Sequence, residues 1–267
     1  MDGSERPSNP DRIVIYATIE DAEHFSEEER ARIIASYPAH ERDARTKGIP
    51  SMGSGLIFPV LEDEITVSPF PIPAHWVQIG GIDFGYDHPT AAAHLAWDRD
   101  ADIVYVTKDY RKREATPIIH AAALKPWGRV SEHDDTQWLP WSWPHDGNND
   151  TAAGRNLASQ YNEQGLLFLP DRATFEDGSN SVEAGLMEML DRMQTGRWKV
   201  FSTCRDWLEE RRLYHRKDGK VVKERDDTIS ASRYAMMMLR HAVVTPKSQA
   251  RERYQSGKRS STGWMGA

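Results

Sequence analysis

Three apolar segments in immediate succession constrain this chain more than any other feature. Val77-Gln78-Ile79-Gly80-Gly81-Ile82-Asp83-Phe84 reads as a buried strand, residues 90–97 are small and apolar, and Asp102-Ile103-Val104-Tyr105-Val106-Thr107 is rich in β-branched side chains. With Asp98-Arg99-Asp100-Ala101 as a turn, the spacing predicts an antiparallel meander. Beyond it, elements alternate. A helix is expected over 117–124, a short strand over 139–144 despite its proline, and a helix over 154–164 closed by Gly165, then a strand over 166–169. Val182, Leu186, Met189, Leu190 and Met193 fall on one helical face that Gly196 ends; a strand over 198–201 and a helix over 205–212 follow. Three strands together and then strands alternating with helices predict an α/β chain: a mixed β-sheet flanked by helices, in the RNase H-like order.

The flanks read differently. Ser26 and Glu29 make a capping box for a helix to about Ser36, stopped by Pro38. Residues 40–50 are densely charged, and Gly53, Gly55, Pro59, Pro69, Pro71 and Pro73 are spaced as in an extended strap. The expected division is a linker over 1–50, a domain over 51–245 and a flexible polar tail over 246–267. With 39% hydrophobic residues, a chain of 267 residues has enough apolar material for one sizeable core. No apolar run approaches the roughly 20 residues of a membrane-spanning helix, and the polar start, Met1-Asp2-Gly3-Ser4-Glu5-Arg6-Pro7, is not a signal peptide. The single cysteine, Cys204, excludes an internal disulfide and a multi-cysteine zinc site, and reads as a small buried filler. A net charge of −7 argues against a protein that coats DNA through overall charge, so the placement of charges matters more than their sum.

Acidic residues stand at element ends. Asp83 closes the first strand, Asp146 follows Trp141-Ser142-Trp143-Pro144-His145, and Asp226-Asp227 open a helical run from Thr228 to Leu239. Carboxylates from two strand ends and one helix start can converge at one sheet edge, where they suit hard divalent cations that clamp a phosphodiester. Each also has a plainer reading: Asp83 before Phe84-Gly85 as a turn former, Asp226 or Asp227 as a helix N-cap, Asp146 as a loop acid. The second feature is basic. Residues 211–223 carry an Asp218-Gly219 turn between two short strands, the signature of a hairpin. Arg211, Arg212, Arg216, Lys217, Lys220 and Lys223 cluster there, and Arg225 follows, either as a phosphate-holding finger or as a solvated ribbon whose lysines protect an edge.

The run Gly80-Gly81-Ile82-Asp83-Phe84-Gly85-Tyr86-Asp87-His88-Pro89-Thr90-Ala91 resembles the first nuclease motif of the terminase large subunits of tailed phages. Ser36-Tyr37-Pro38, Glu41-Arg42-Asp43-Ala44-Arg45-Thr46-Lys47-Gly48-Ile49-Pro50, Gly53-Ser54-Gly55 and Phe58-Pro59 are similar to that family's segment joining motor and nuclease. Asp226-Asp227-Thr228-Ile229-Ser230-Ala231-Ser232-Arg233-Tyr234-Ala235 resembles its last acidic motif, except that Ser230 stands where a further acid is common. The resemblance implies an RNase H-like nuclease that cuts concatemeric double-stranded viral DNA during genome packaging with Mg²⁺ or Mn²⁺ in a two-metal site. It assigns Asp83, Asp146 and Asp227 to catalysis and Asp83, Asp146, Asp226 and Asp227 to the metals, with the Asp-Gly hairpin near the active site. It further implies the portal or procapsid and the small terminase subunit as partners, an ATPase motor domain if the chain is a fragment, and the cytoplasm of the infected host as the location. The chain lacks a G-x-x-x-x-G-K-[ST] phosphate loop, so translocation is not expected of it.

Two other readings stand beside this one: another RNase H-like enzyme of the resolvase or transposase type, and a non-catalytic docking module for the portal or small subunit. Asp87 and His88 are read as a turn before Pro89, His145 as packing or loop chemistry, Trp138, Trp141 and Trp143 as packing residues, and Met236-Met237-Met238 as helix core.

Overall fold

The computed structural model describes residues 18–19, 22, 24–36, 46, 55–131, 134–148, 156–217, 220–222 and 225–246. The helices are α1 (Glu27–Ser36), α2 (Glu62–Ile65), α3 (Pro117–Leu124), α4 (Leu157–Glu163), α5 (Val182–Gln194), α6 (Arg205–Leu213) and α7 (Asp227–Met237). The strands are β1 (Thr66–Val67), β2 (Val77–Asp83), β3 (Thr90–Asp98), β4 (Ile103–Lys112), β5 (Arg129–Ser131), β6 (Asp134–Gln137), β7 (Pro140–Ser142), β8 (Leu167–Phe168), β9 (Trp198–Phe201), β10 (Arg216–Lys217), β11 (Lys220–Val221) and β12 (Val243–Val244). The capping box of α1 forms in both directions, Ser26 N and Oγ donating to Glu29 Oε2 and Glu29 N donating to Ser26 Oγ. Most of the charged 40–50 segment, Lys223 and everything beyond Pro246 lie outside the described residues.

The main sheet runs β1-β9-β4-β3-β2-β7-β8. The expected meander is its centre, with β2–β3 and β3–β4 antiparallel. Strand β7 adds parallel to β2, β8 parallel to β7 and β9 parallel to β4. This is the RNase H-like mixed sheet flanked by helices, and β10–β11 forms the added hairpin.

Three local outcomes differ from the sequence reading. Strand β4 runs past Thr107 to Lys112, because β3 keeps a partner opposite it as far as Thr90↔Lys112; the backbone ladder overrides a polar run of side chains. The strap before β2 contains α2, which buries Ile65, and β1, which pairs with β9. Arg211 and Arg212 belong to α6 and not to the hairpin: α6 turns Trp207, Leu208 and Arg211 to the interior, and this apolar anchoring holds the helix to Leu213.

Strand β2 is buried on both faces, and its alternation divides the molecule. Val77 and Ile79 enter a core shared with α5, α6 and α7 through Leu186, Met189, Trp207, Ile229 and Met236. Ile82 enters a second core built from Leu124, Leu139, Trp141, Trp143 and Tyr161. Trp141, Trp143 and the Met236–Met238 run are buried, as read; Trp138 is half-buried and donates its indole N–H to Arg129 O at 3.2 Å. Cys204 is fully buried, and burial pushes its thiol up.

Two glycines in β2 permit this layering. A Cβ on Gly80 would meet the Trp141 ring at 2.5 Å. A Cβ on Gly81 would fall on the carbonyl oxygen of Ala231 and within 2.9 Å of the Ala235 methyl, so α7 rests directly on the β2 backbone. Gly81→Ala is therefore expected to lift α7 and destabilise the fold by about 1–3 kcal/mol in urea unfolding. An unchanged midpoint would show that α7 does not depend on that contact.

Candidate active site

Asp83 is the last residue of β2 and, two positions after Gly81, shares its α7-facing side. In the sheet register Asp83 pairs with Ala91, and Ala91 with Arg111, so an acid, a small residue and a base form one row across three strands. The close approach at Gly81 brings the N-terminus of α7 over this row.

That helix start is not capped by its own side chains. Asp226 occupies the N-cap position but makes no side-chain cap. Glu210 on α6 caps from the side: its Oε2 accepts from Thr228 N at 2.7 Å, Thr228 Oγ1 at 2.6 Å and Ile229 N at 3.1 Å. The start of α6 is held in the same manner by β4, Trp207 N donating to Asp109 Oδ2 at 3.0 Å. A chain of borrowed caps thus runs from β4 to α6 to α7, and it removes the plain N-cap reading of Asp226. The Asp226 carboxylate is met instead by Tyr214 Oη at 3.4 Å and Ser230 Oγ at 3.5 Å.

Asp146 lies on a 3-10 turn, His145–Asn148, beyond the end of β7. Strand β7 is tied to α7 by Ser142 Oγ donating to Tyr234 O at 2.8 Å. The turn is seated by Gly147, which leaves room for the Trp143 and Phe84 rings; a Cβ there would meet them at 2.6 and 2.8 Å. Trp143 is itself fixed by its indole N–H to Leu169 O at 2.7 Å.

Asp83, Asp146, Asp226 and Asp227 all line one cavity of about 520 Å³, with His88, His145, Ser230 and Arg233 also in its wall. Burial raises the Asp83 carboxyl well above the usual carboxylate range, and the charges of Asp146, Asp226 and Asp227 push it the same way, against Arg233. Asp146 is also raised, chiefly by burial, and its Oδ1 is buried with no hydrogen-bond partner. An orphaned carboxylate oxygen among mutually repelling acids is a donor set that a hard cation would satisfy. Among the described residues, no three His, Cys, Asp or Glu side chains are already drawn together to hold a metal ion. The acids surround the cavity and do not yet close on one point.

Three residues around the candidate site escaped the sequence reading. Arg111 donates from Nε to Asp227 Oδ2 at 3.0 Å, has Nη2 in ion-pair contact with the same oxygen at 3.0 Å and lies 3.3 Å from Glu210 Oε1, which steers one candidate ligand. Burial pushes the Glu210 carboxyl up to about 8, while its hydrogen bonds from Thr228 and Ile229 favour the ionised form. Arg233 is 4% exposed and has no carboxylate in ion-pair range among the described residues; it lies over the Tyr234 ring, meets Met237 Sδ at 3.6 Å and acts on Asp83 through its charge. This buried positive charge lies in the wall of the acidic cavity. None of the three has a local signal, since each acts across elements distant in sequence.

The basic residues divide. Arg212 is bidentate on Glu62, and Arg211, 6% exposed, lies 3.5 Å from the same carboxylate. Arg216 is bidentate on Glu183. Lys217 and Lys220 face solvent opposite each other on the hairpin. Asp87 and His88 lie on an exposed turn that Thr90 staples, its Oγ1 donating to Gly85 O at 2.7 Å.

An RNase H-like sheet that carries acids from two strand ends and a helix start around one cavity defines a chain of the RNase H-like fold class. More particularly, the chain belongs to the Terminase RNaseH-like domain family, matched over residues 80–239. It is 46% identical to the large terminase subunit of Salmonella phage P22 over 240 residues, which is 89% of this chain and 46% of that protein. The chain thus spans about half the length of the curated relatives it matches. The P22 large terminase nuclease domain superposes with a TM-score of 0.66 at 44% identity, covering 73% of this chain and 97% of that one. The large terminase of a thermophilic bacteriophage shares the fold at 16% identity, with a TM-score of 0.54 over 83% of this chain and 55% of that one.

Two measurements test this geometry. Glu210→Ala removes the cap of α7 and leaves Arg111 short of a partner, so a loss of about 3 kcal/mol is expected in urea unfolding; a loss within error would remove Glu210 from the account. Asp83 has a raised carboxyl, so the folded state prefers it protonated. The destabilisation it causes is absent in acid and grows as pH rises from about 4, where the unfolded chain ionises. Asp83→Asn should therefore be more stable than the parent at pH 8 in EDTA, with the difference vanishing toward pH 4. Equal stability at both pH values would contradict the repulsion.

Proposed function

We propose that this chain is a divalent-metal-dependent endonuclease that cuts concatemeric double-stranded viral DNA during genome packaging, over a nuclease unit of residues 51–245. The observation that carries the reading is the four carboxylates from separate elements around one cavity in a chain of this family. Asp83, Asp146, Asp226 and Asp227 would hold one or two Mg²⁺ or Mn²⁺ ions, which when bound would supply an activated water and stabilise the leaving oxygen. Asp83, Asp146 and Asp227 are the catalytic acids in this reading. Arg111 holds one oxygen of Asp227, and Arg233 lends positive charge to a cavity that must accept a phosphate among acids. Lys217 and Lys220 extend the positive surface at the hairpin.

The relatives are large terminase subunits, so the motor, the portal of the procapsid and the small subunit are proposed partners, and the infected host's cytoplasm the proposed site of action. No helix among the described residues is long and apolar enough to cross a membrane.

Plasmid digestion with Mg²⁺, Mn²⁺ or EDTA tests the enzyme. Metal-dependent cutting by the wild type is expected to fall at least 100-fold, on the order of the loss of one group essential for transition-state stabilisation, in both Asp83→Ala and Asp227→Ala. A wild type that never cuts with any divalent ion moves the docking-module reading ahead. For the hairpin, Lys217→Gln with Lys220→Gln should slow cutting while leaving Mn²⁺ affinity unchanged; unaltered cutting would remove the hairpin from DNA handling.

A further inference from the structure

A second cavity, of about 490 Å³, adjoins the acidic one and shares His88, Asp226 and Asp227 with it. Its wall is more basic than that of its neighbour. Arg111, Lys112, Arg113 and Arg225 line it, with Asp206 as the acid of its own wall.

The cations are delivered by the overrun of β4. Thr90, the first residue of β3, pairs with Lys112, so Arg113 projects past the end of the β2–β3–β4 ladder, on the edge where Asp83 ends β2. The backbone there is fixed. Glu114 takes φ +52°, and its N–H donates to Tyr86 O at 3.2 Å, tying the end of β4 to the loop that follows Asp83. These cations therefore stand on a strand end that is anchored to the acidic site.

Among the described residues many arginines are paired with carboxylates, whereas Lys112 and Arg113 are not. Arg192, Arg197, Arg211, Arg212 and Arg216 all sit on carboxylates. Arg225 is held by Glu209 at 2.9 Å, and Arg111 by Asp227 and Glu210. Lys112 and Arg113 are exposed and have no ion-pair partner among the described residues, in a chain with 41 acids against 34 lysines and arginines. Adjacent uncompensated cations beside an acidic cavity fit a polyanion that spans both sites.

We propose that this cavity is the cradle for the DNA backbone: Lys112 and Arg113 bind phosphates next to the one being cut, and Arg111 joins the two sites by holding Asp227. This rests on the nuclease reading for the position of the scissile phosphate, but not for the existence of the phosphate site. Lys112 and Arg113 replace the paired Arg211 and Arg212 as the backbone contacts. Phosphate contacts of this kind set register and carry no base preference, so the site is expected to bind duplexes regardless of sequence.

The test is fluorescence anisotropy of the full chain with a labelled DNA duplex in EDTA, across a salt series. Lys112→Gln with Arg113→Gln should weaken binding roughly tenfold at moderate salt and reduce the slope of log K against log salt by about 2, the loss of two phosphate contacts. Both side chains are exposed, so the unfolding midpoint should not move. Arg99→Gln, which removes a charge at the far turn between β3 and β4, should leave the slope unchanged. If the double variant matches Arg99→Gln in affinity and slope while the wild type cuts DNA, the cradle is overturned and the nuclease reading stands. If binding depends on Lys112 and Arg113 but no divalent ion supports cutting, the cradle stands and the nuclease reading fails. A wild type that does not bind DNA overturns both.

Discussion

The contact of α7 with the bare backbone of β2 at Gly81 is the constraint on which the site depends. A helix carrying side chains ordinarily stands off a sheet by the depth of those side chains. Here the sheet offers no side chain at the crossing, and α7 answers with Ala231 and Ala235. The first turn of α7, with Asp227, is thereby brought over the end of the strand that Asp83 closes. Gly80 does the same work on the opposite face, where Trp141 presses against it and carries β7 and the Asp146 turn into place. Two adjacent glycines in one central strand therefore set the depth at which three acid-bearing elements meet.

Gathering acids in a part-buried place is unfavourable, and the molecule restrains the repulsion without neutralising it. Arg111 takes one oxygen of Asp227, Arg233 supplies a buried positive charge, and Tyr214 and Ser230 attend Asp226. Asp83 and Asp146 remain with raised carboxyls. Because Glu210 satisfies the start of α7, Asp226 and Asp227 are spared the ordinary duty of an acid at a helix N-terminus. The structural task falls to a fully buried glutamate on a neighbouring helix, and the acids of α7 are left facing the cavity.

Much of the fold was legible because it rests on periodic burial. The continuous apolar runs of β2 and β3, the β-branched first half of β4, the apolar face of α5 and the capping box of α1 are local signals, and the structure contains each of them. The second half of β4 was not legible, since Lys108–Lys112 reads as polar loop until its partner strand is known. Arg211 and Arg212 adjoin the hairpin in sequence, yet the helix that buries Trp207 and Leu208 claims them and Glu62 binds them. The positions of Asp83, Asp146, Asp226 and Asp227 at element ends were readable. What surrounds them was not: Arg111, Glu210 and Arg233 are single charged residues whose partners depend on how β4, α6 and α7 pack. Short edge strands such as β1 and β12 escape for a similar reason, as a two-residue pairing leaves no periodic mark.

The most direct measurement is anomalous diffraction at the manganese edge from crystals of the chain grown with Mn²⁺. The account predicts one or two peaks inside the cavity bounded by Asp83, Asp146, Asp226 and Asp227, with Asp146 Oδ1 among the ligands. Manganese bound elsewhere while that cavity stays empty would contradict the claim that the approach of α7 to β2 assembles a metal site.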